Sequence, residues 1–251
     1  MSKKQEVVKK EASEVAVMTS ESWGSTQSFT QNDIVIPKIL PLQFMSEKVK
    51  EKKGEYGEFR DTLNNEKFAG LGEDFEVIPF HVVKKWIEYD VVTTKSGAKK
   101  REYRGIVPIT FANDGLPYVD PDGAVERDRC VDVYVLIPKQ IEAGNSFPYV
   151  LSFRRTSLKA GNKIITQILR NERMNQPPCA VTMMVSGTSV QNDEGEYVKQ
   201  DCTVGRPARA EEIQDAFCWY KIVNSGETKL DESDVVESTV KEKTVGDSDQ
   251  F

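Results

Sequence analysis

Clustered positive charge beside aromatic residues is the chemistry this sequence offers. Between residues 152 and 173 stand Arg154, Arg155, Lys159, Lys163, Arg170 and Arg173 against one acid, Glu172. Lys159, Lys163 and Arg170 fall about four and seven residues apart, so on a helix they project from one side. Leu158, Ile165, Ile168 and Leu169 recur near helical spacing and define a buried face on another. Thr156 and Ser157 follow the paired arginines, and either hydroxyl can cap a helix by accepting a free backbone N–H. A helix start flanked by guanidinium groups is a site for phosphate. A solvated amphipathic helix would give the same stripe without any ligand.

Two further basic segments are present. Residues 48–53 read KVKEKK, and residues 95–104 carry Lys95, Lys99, Lys100, Arg101 and Arg104 around Tyr103. The second is expected to be a basic finger, with Gly97 at the tip of its turn. Trp86, Tyr89 and Tyr103 are surrounded by polar residues, which makes them candidate stacking platforms among aromatics that mostly build core. Cations that follow phosphates and rings that accept bases are the two requirements for binding single-stranded nucleic acid.

Catalytic patterns are scarce. His81 is the only histidine, and it follows an apolar run that reads as strand. Cys130, Cys179, Cys202 and Cys218 form no CxxC pair and fit no zinc spacing, so buried free thiols in a reducing compartment are expected. There is no GxGxxG, and Lys163 lies in no phosphate-binding loop. Asp120, Asp122 and Gly123 give only part of a calcium-loop pattern and read as a turn. The chain is therefore expected to be a binding protein, not an enzyme, with no cofactor and no metal. A metal-dependent nuclease assembled from distant strands is the rival enzymatic reading.

The elements that would carry these residues are mostly short strands. Alternation marks 75–83, 85–93, 106–111, 129–138, 149–153, 180–189 and 196–204 as strands, and 56–68 as a hairpin turning at Asn64 and Asn65. Prolines 37 and 41 restrict 34–45 to an extended sheet-edge segment or a short helical turn. Residues 158–173 and 209–223 read as helices, the second with Ile213, Ala216, Phe217 and Tyr220 inward. This is a β-rich α+β fold: an antiparallel sheet or OB-like barrel with a central basic helix and a C-terminal helix.

The 251 residues are 38% hydrophobic and 29% charged, with a net charge of -6. Residues 1–31 read as a disordered arm, 32–224 as one nucleic-acid-binding domain, and 225–251 as a disordered acidic tail. From Glu227 onward eight acids face three lysines, a net -5, so the other 226 residues carry only -1. No signal peptide or membrane-length apolar run is visible, so an intracellular, cytoplasmic protein with no membrane partner is expected.

The chain ends Asp247-Ser248-Asp249-Gln250-Phe251. An acidic tail closed by phenylalanine resembles the acid-tailed single-stranded DNA-binding proteins of bacteriophages and bacteria. The body is similar to phage replication-module proteins, from NDIVIPKILPLQ through GEFRDTL, VIPF, KKW and PYVLSFRRTSLKAGNKI to WYK at 219–221. The resemblance implies an OB-type barrel and binding of single-stranded DNA without sequence preference in phage replication or recombination. It also implies that Asp247, Asp249 and Phe251 recruit replication or recombination proteins, in the host cytoplasm. A recombination annealing protein and a structural or scaffolding virion component are the alternatives; assembly into a homo-oligomer stays open.

Overall fold

The structure is a computed structural model. It describes residues 34–225 and 229–230, apart from 45, 95, 96, 98, 193 and 194. The expected arm at 1–31 and nearly all of the expected tail lie outside the described residues, as do Lys95, Asp247, Asp249 and Phe251.

The elements begin with β1 (Val35–Ile36), β2 (Lys38–Pro41), α1 (Glu47–Lys50), β3 (Phe59–Asp61) and β4 (Lys67–Ala69). The centre is β5 (Asp74–Thr93), β6 (Lys99–Pro108), β7 (Val125–Leu136), α2 (Pro138–Glu142), β8 (Tyr149–Arg154) and α3 (Leu158–Arg173). Then come β9 (Val181–Asn192), β10 (Gly195–Pro207), α4 (Ala210–Asn224) and β11 (Lys229–Leu230).

Nine strands form one sheet in the order β10-β9-β5-β7-β8-β2-β3-β4, with β6 also paired to β5. The sheet is open, not a closed barrel. It is mixed, because β2 runs parallel to β8 while its other strand pairs are antiparallel. Within this strand-rich α+β class the central basic helix and the C-terminal helix stand where the sequence puts them. β2 is an interior strand, between β8 and β3, rather than the expected edge.

β5 joins the two ends of the architecture. The expected strands 75–83 and 85–93 are one strand of 20 residues, bent by a register shift between Pro79 and His81. One edge of β5 pairs with β7 over 78–90. The other edge is shared: β9 takes residues 74–77 and β6 takes 85–93. The expected basic finger is therefore a strand of a long hairpin, with residues 109–124 looping from it to β7.

Helices cover both faces. β7 from Cys130 to Leu136 is buried throughout, which explains its nearly unbroken apolar run. On one face Val131, Val133, Leu151 and Phe153 pack with Ala160 and Ile164 of α3. Gly161 lets the helix settle there: a Cβ on it would stand 3.0 Å from Val131 Cβ and 3.1 Å from Phe153 Cβ. On the other face Ile78, Phe80, Tyr134 and Leu136 pack with Ala216 and Val223 of α4. Phe217 and Tyr220, expected inward, are instead exposed.

Two ionic clusters fix the layers. Glu212, fully buried at the start of α4, accepts from both Arg206 (2.7 Å) and Arg209 (2.8 Å), and Arg206 also reaches Glu76 of β5 at 3.0 Å. Burial opposes ionisation of Glu212, but these hydrogen bonds outweigh it and hold its pKa at about 2. At the sheet centre Asp132 meets Lys85 at 2.8 Å and accepts from Ser152 at 2.6 Å. Burial again opposes the charge, and Lys85 prevails, keeping Asp132 below the usual carboxylate range. Cys130 beside it is pushed up to about 12, by burial first and by Asp132 second.

Candidate nucleic-acid interface

The expected phosphate site at the start of α3 is built differently. A 3-10 turn, Arg155–Ser157, precedes the helix, and no side chain caps it. The Ser157 hydroxyl instead accepts the backbone N–H of Gln200 on β10, at 2.9 Å. It thereby satisfies an edge strand rather than its own helix. Arg155 has a left-handed φ of 46° and donates to Asp128 at 3.0 Å. Arg154 is half-buried and stands opposite Cys130 in the strand register. The paired arginines thus tie the helix start to β7 and do not frame an open anion site.

The basic cluster on β6 is mostly balanced by acids. Arg101 binds Glu126 at 3.1 Å and Asp128 at 3.2 Å, with its guanidinium 3.9 Å above the Tyr89 ring. Asp128 thus joins Arg101 to Arg155. Arg104 lies 3.4 Å from Asp90 and 3.9 Å from Glu88. Lys99 is exposed and Lys100 half-buried, and neither has an ion-pair partner among the described residues.

The stacking expectation fails for two of its three rings. Trp86 is 1% exposed: its indole N–H donates to the Asn113 carbonyl at 3.0 Å, and Tyr118 packs edge-on at 5.6 Å. Tyr89 is buried on the opposite face under Arg101. Tyr103 is half-buried against the cluster of Ile87, Tyr89 and Cys130. Trp86 and Tyr89 therefore serve the hairpin's own packing, and neither has an open face for a base.

An open groove remains where α3 runs beside the β9–β10 hairpin, with a volume of about 550 Å³. Lys159, Asn162, Lys163, Thr166, Gln167 and Arg170 line one wall. Their spacing of three, four and seven residues is one face of a helix. Met183, Cys202, Thr203 and Val204 form the other side, giving an apolar floor. Lys163 is held by Asp201 at 2.5 Å and by the Cys202 carbonyl at 3.1 Å, and the Asp201 contact raises its pKa. Lys159 and Arg170 are exposed, with no acid partner among the described residues. Arg173 follows one turn on and is also exposed. The helical wall could be read from sequence. Met183 and Val204 could not, because they arrive from a separate hairpin.

Among the described residues no three His, Cys, Asp or Glu side chains come together as a metal site, and no helix is long and apolar enough to cross a membrane. Asp120 is engaged by Arg127, and Asp122 accepts the Ala124 N–H at 3.0 Å, as a turn requires.

Fold and groove define a strand-rich α+β protein with a cation-rimmed, apolar-floored surface channel. The chain belongs to the Pam3 phage gp34-like protein family, which it matches over residues 3–229, and this family is a phage one. No curated protein and no solved structure matches the chain.

Proposed function

We propose that the protein binds single-stranded DNA without sequence preference during phage replication or recombination. It acts as a binding protein rather than an enzyme, in the host cytoplasm, and its Phe-terminated acidic tail recruits partner proteins. The observation that carries the reading is the groove between α3 and β10, where Lys159 and Arg170 have no acid partner among the described residues and stand above an apolar floor. Free cations release counterions when they meet phosphates, whereas cations already paired with acids add little. An apolar floor accepts bases of any identity, which gives affinity without sequence readout.

The test is fluorescence anisotropy with matched single- and double-stranded oligonucleotides of several base compositions, at two salt concentrations. The reading expects preference for the single strand, indifference to sequence and weakening with salt. Equal affinity for duplex, or no binding at low salt, would overturn it. Adding a complementary strand to the complex then distinguishes plain binding from annealing, which would appear as accelerated duplex formation.

A further inference from the structure

Base stacking still needs a ring, because Trp86 and Tyr89 are buried. The described surface carries one exposed ring on a braced loop beside β10. Phe44, between β2 and α1, is 61% exposed. Its loop is pinned at several points. The Gln43 side-chain amide accepts the Val198 N–H at 2.9 Å and donates to the Val198 carbonyl at 3.4 Å, both on β10. The Gln43 backbone N–H donates to the Ser46 hydroxyl at 2.9 Å. Phe44 itself packs edge-on against Tyr56, with ring centroids 6.4 Å apart at 72°. The Tyr56 hydroxyl is in turn hydrogen-bonded to Ser189 Oγ at 3.1 Å. An aromatic side chain is thus displayed to solvent on a braced loop, so little conformational freedom is left to lose when a ligand stacks on it.

Position links this ring to the groove. Along its outer edge β10 meets Gln43 at Val198, Ser157 at Gln200 and Lys163 at Cys202, and the groove wall lies at Thr203 and Val204. From Val198 to Val204 a strand advances roughly 20 Å. That is on the order of six nucleotides at the stacked spacing of ~3.4 Å, and fewer when the strand is stretched. Lys50, which ends α1, and Lys52, in the turn after it, follow Phe44 in the chain; both are exposed and have no acid partner among the described residues. Ring and groove therefore follow one strand edge.

We infer that Phe44 is a base-stacking platform at the far end of the α3–β10 groove, with Tyr56 as its brace and Lys50 and Lys52 as phosphate contacts. This rests on the single-strand reading above and names where the bases of that strand are held. Phe44 does not stand out in the sequence because it closes an apolar run broken by Pro37 and Pro41, where an aromatic residue looks like core.

The experiment measures binding of the full chain, F44A and K159A/R170A to an oligothymidine and to an abasic strand of equal length. Loss of stacking in F44A should weaken oligothymidine binding about 5- to 150-fold. It should leave abasic-strand binding unchanged, because no base is there to stack. K159A/R170A should weaken both. F44W adds a direct signal: the new indole should be quenched by oligothymidine and not by the abasic strand. If the full chain binds neither strand, the single-strand reading fails and takes the platform with it. If K159A/R170A weakens binding while F44A matches wild type and F44W is not quenched, the platform alone is refuted. Equal losses of F44A on both strands would likewise refute stacking. Phe44 is exposed, so F44A should melt with wild type; F44W keeps the question answerable if it does not.

Discussion

Replacing Lys159, Arg170 and Arg173 together with alanine should change the salt dependence of binding more than the fold. All three are exposed and free of acid partners among the described residues, so each charge is available to a phosphate. For single strands each phosphate contact contributes roughly 0.7 to the slope of log affinity against log salt. The triple variant should therefore flatten that slope by about 2. Between 50 and 200 mM salt, three such contacts amount to a change of roughly 18-fold. The variant should look much weaker than wild type at the lower salt and approach it by that factor at the higher. R104A is the control: Arg104 already lies against Asp90 and Glu88, so its slope should stay near wild type. Anisotropy titrations at four salt concentrations supply both slopes, with thermal melts confirming the fold. An unchanged slope in the folded triple variant, or an equal change in R104A, would refute the assignment of phosphate contacts to free cations on α3.

Four further outcomes follow from the same geometry. The pKa of Glu212 lies below its unfolded value, so its stabilisation is present above about pH 4.5 and is lost as pH falls towards 2; denaturant titrations at pH 5 and 2.5 should differ by about 2 kcal/mol from this group, and E212Q should lack that share. G161A should lose about 1–3 kcal/mol by overpacking against Val131 and Phe153, read as a lower denaturation midpoint; wild-type stability would mean that the helix can lift. W86A should destabilise the fold by about 3–5 kcal/mol, because Trp86 is buried; a stable variant with weakened binding would restore it as a platform. Deleting residues 231–251 removes seven acids and two lysines, a net -5, and leaves intact β11, which pairs with β1; single-strand binding should tighten most at low salt, whereas removing only Phe251 should leave DNA binding alone and change the proteins captured from host extract.

Much of the fold was legible where burial follows local periodicity. β7, β9, β10 and α3 each present an apolar pattern on their own stretch of chain. β5 was split in two because Lys84 and Lys85 interrupt that pattern. Lys85 is nonetheless buried, since Asp132 supplies its counter-charge from β7, and no local window contains that partner. Trp86 and Tyr89 misled for a related reason. Their sequence neighbours are polar, but Tyr118 and Arg129 cover one ring and Arg101 the other. The same contacts explain why the basic finger is not a bare cationic surface: Asp90 from the adjacent β5, and Glu126 and Asp128 from β7 beyond it, meet it. For the groove, residues spaced along α3 announced one wall, while the floor depended on how the β9–β10 hairpin lies against the helix. The caps were illegible in principle, because Ser157 had two partners to choose from and Gln200 lies 43 residues away.

The most direct test of the account is covalent labelling of lysine side chains, read by mass spectrometry, with and without a saturating oligothymidine. Lys159 on the groove wall, with Lys50 and Lys52, which follow Phe44 in the chain, should be protected by the single strand and much less by an equal concentration of duplex. Lys139 and Lys221 lie outside that track and should label equally throughout. Undiminished labelling of Lys159 in the saturated complex, or protection spread evenly over all five lysines, would contradict the claim that a single strand occupies the α3–β10 groove.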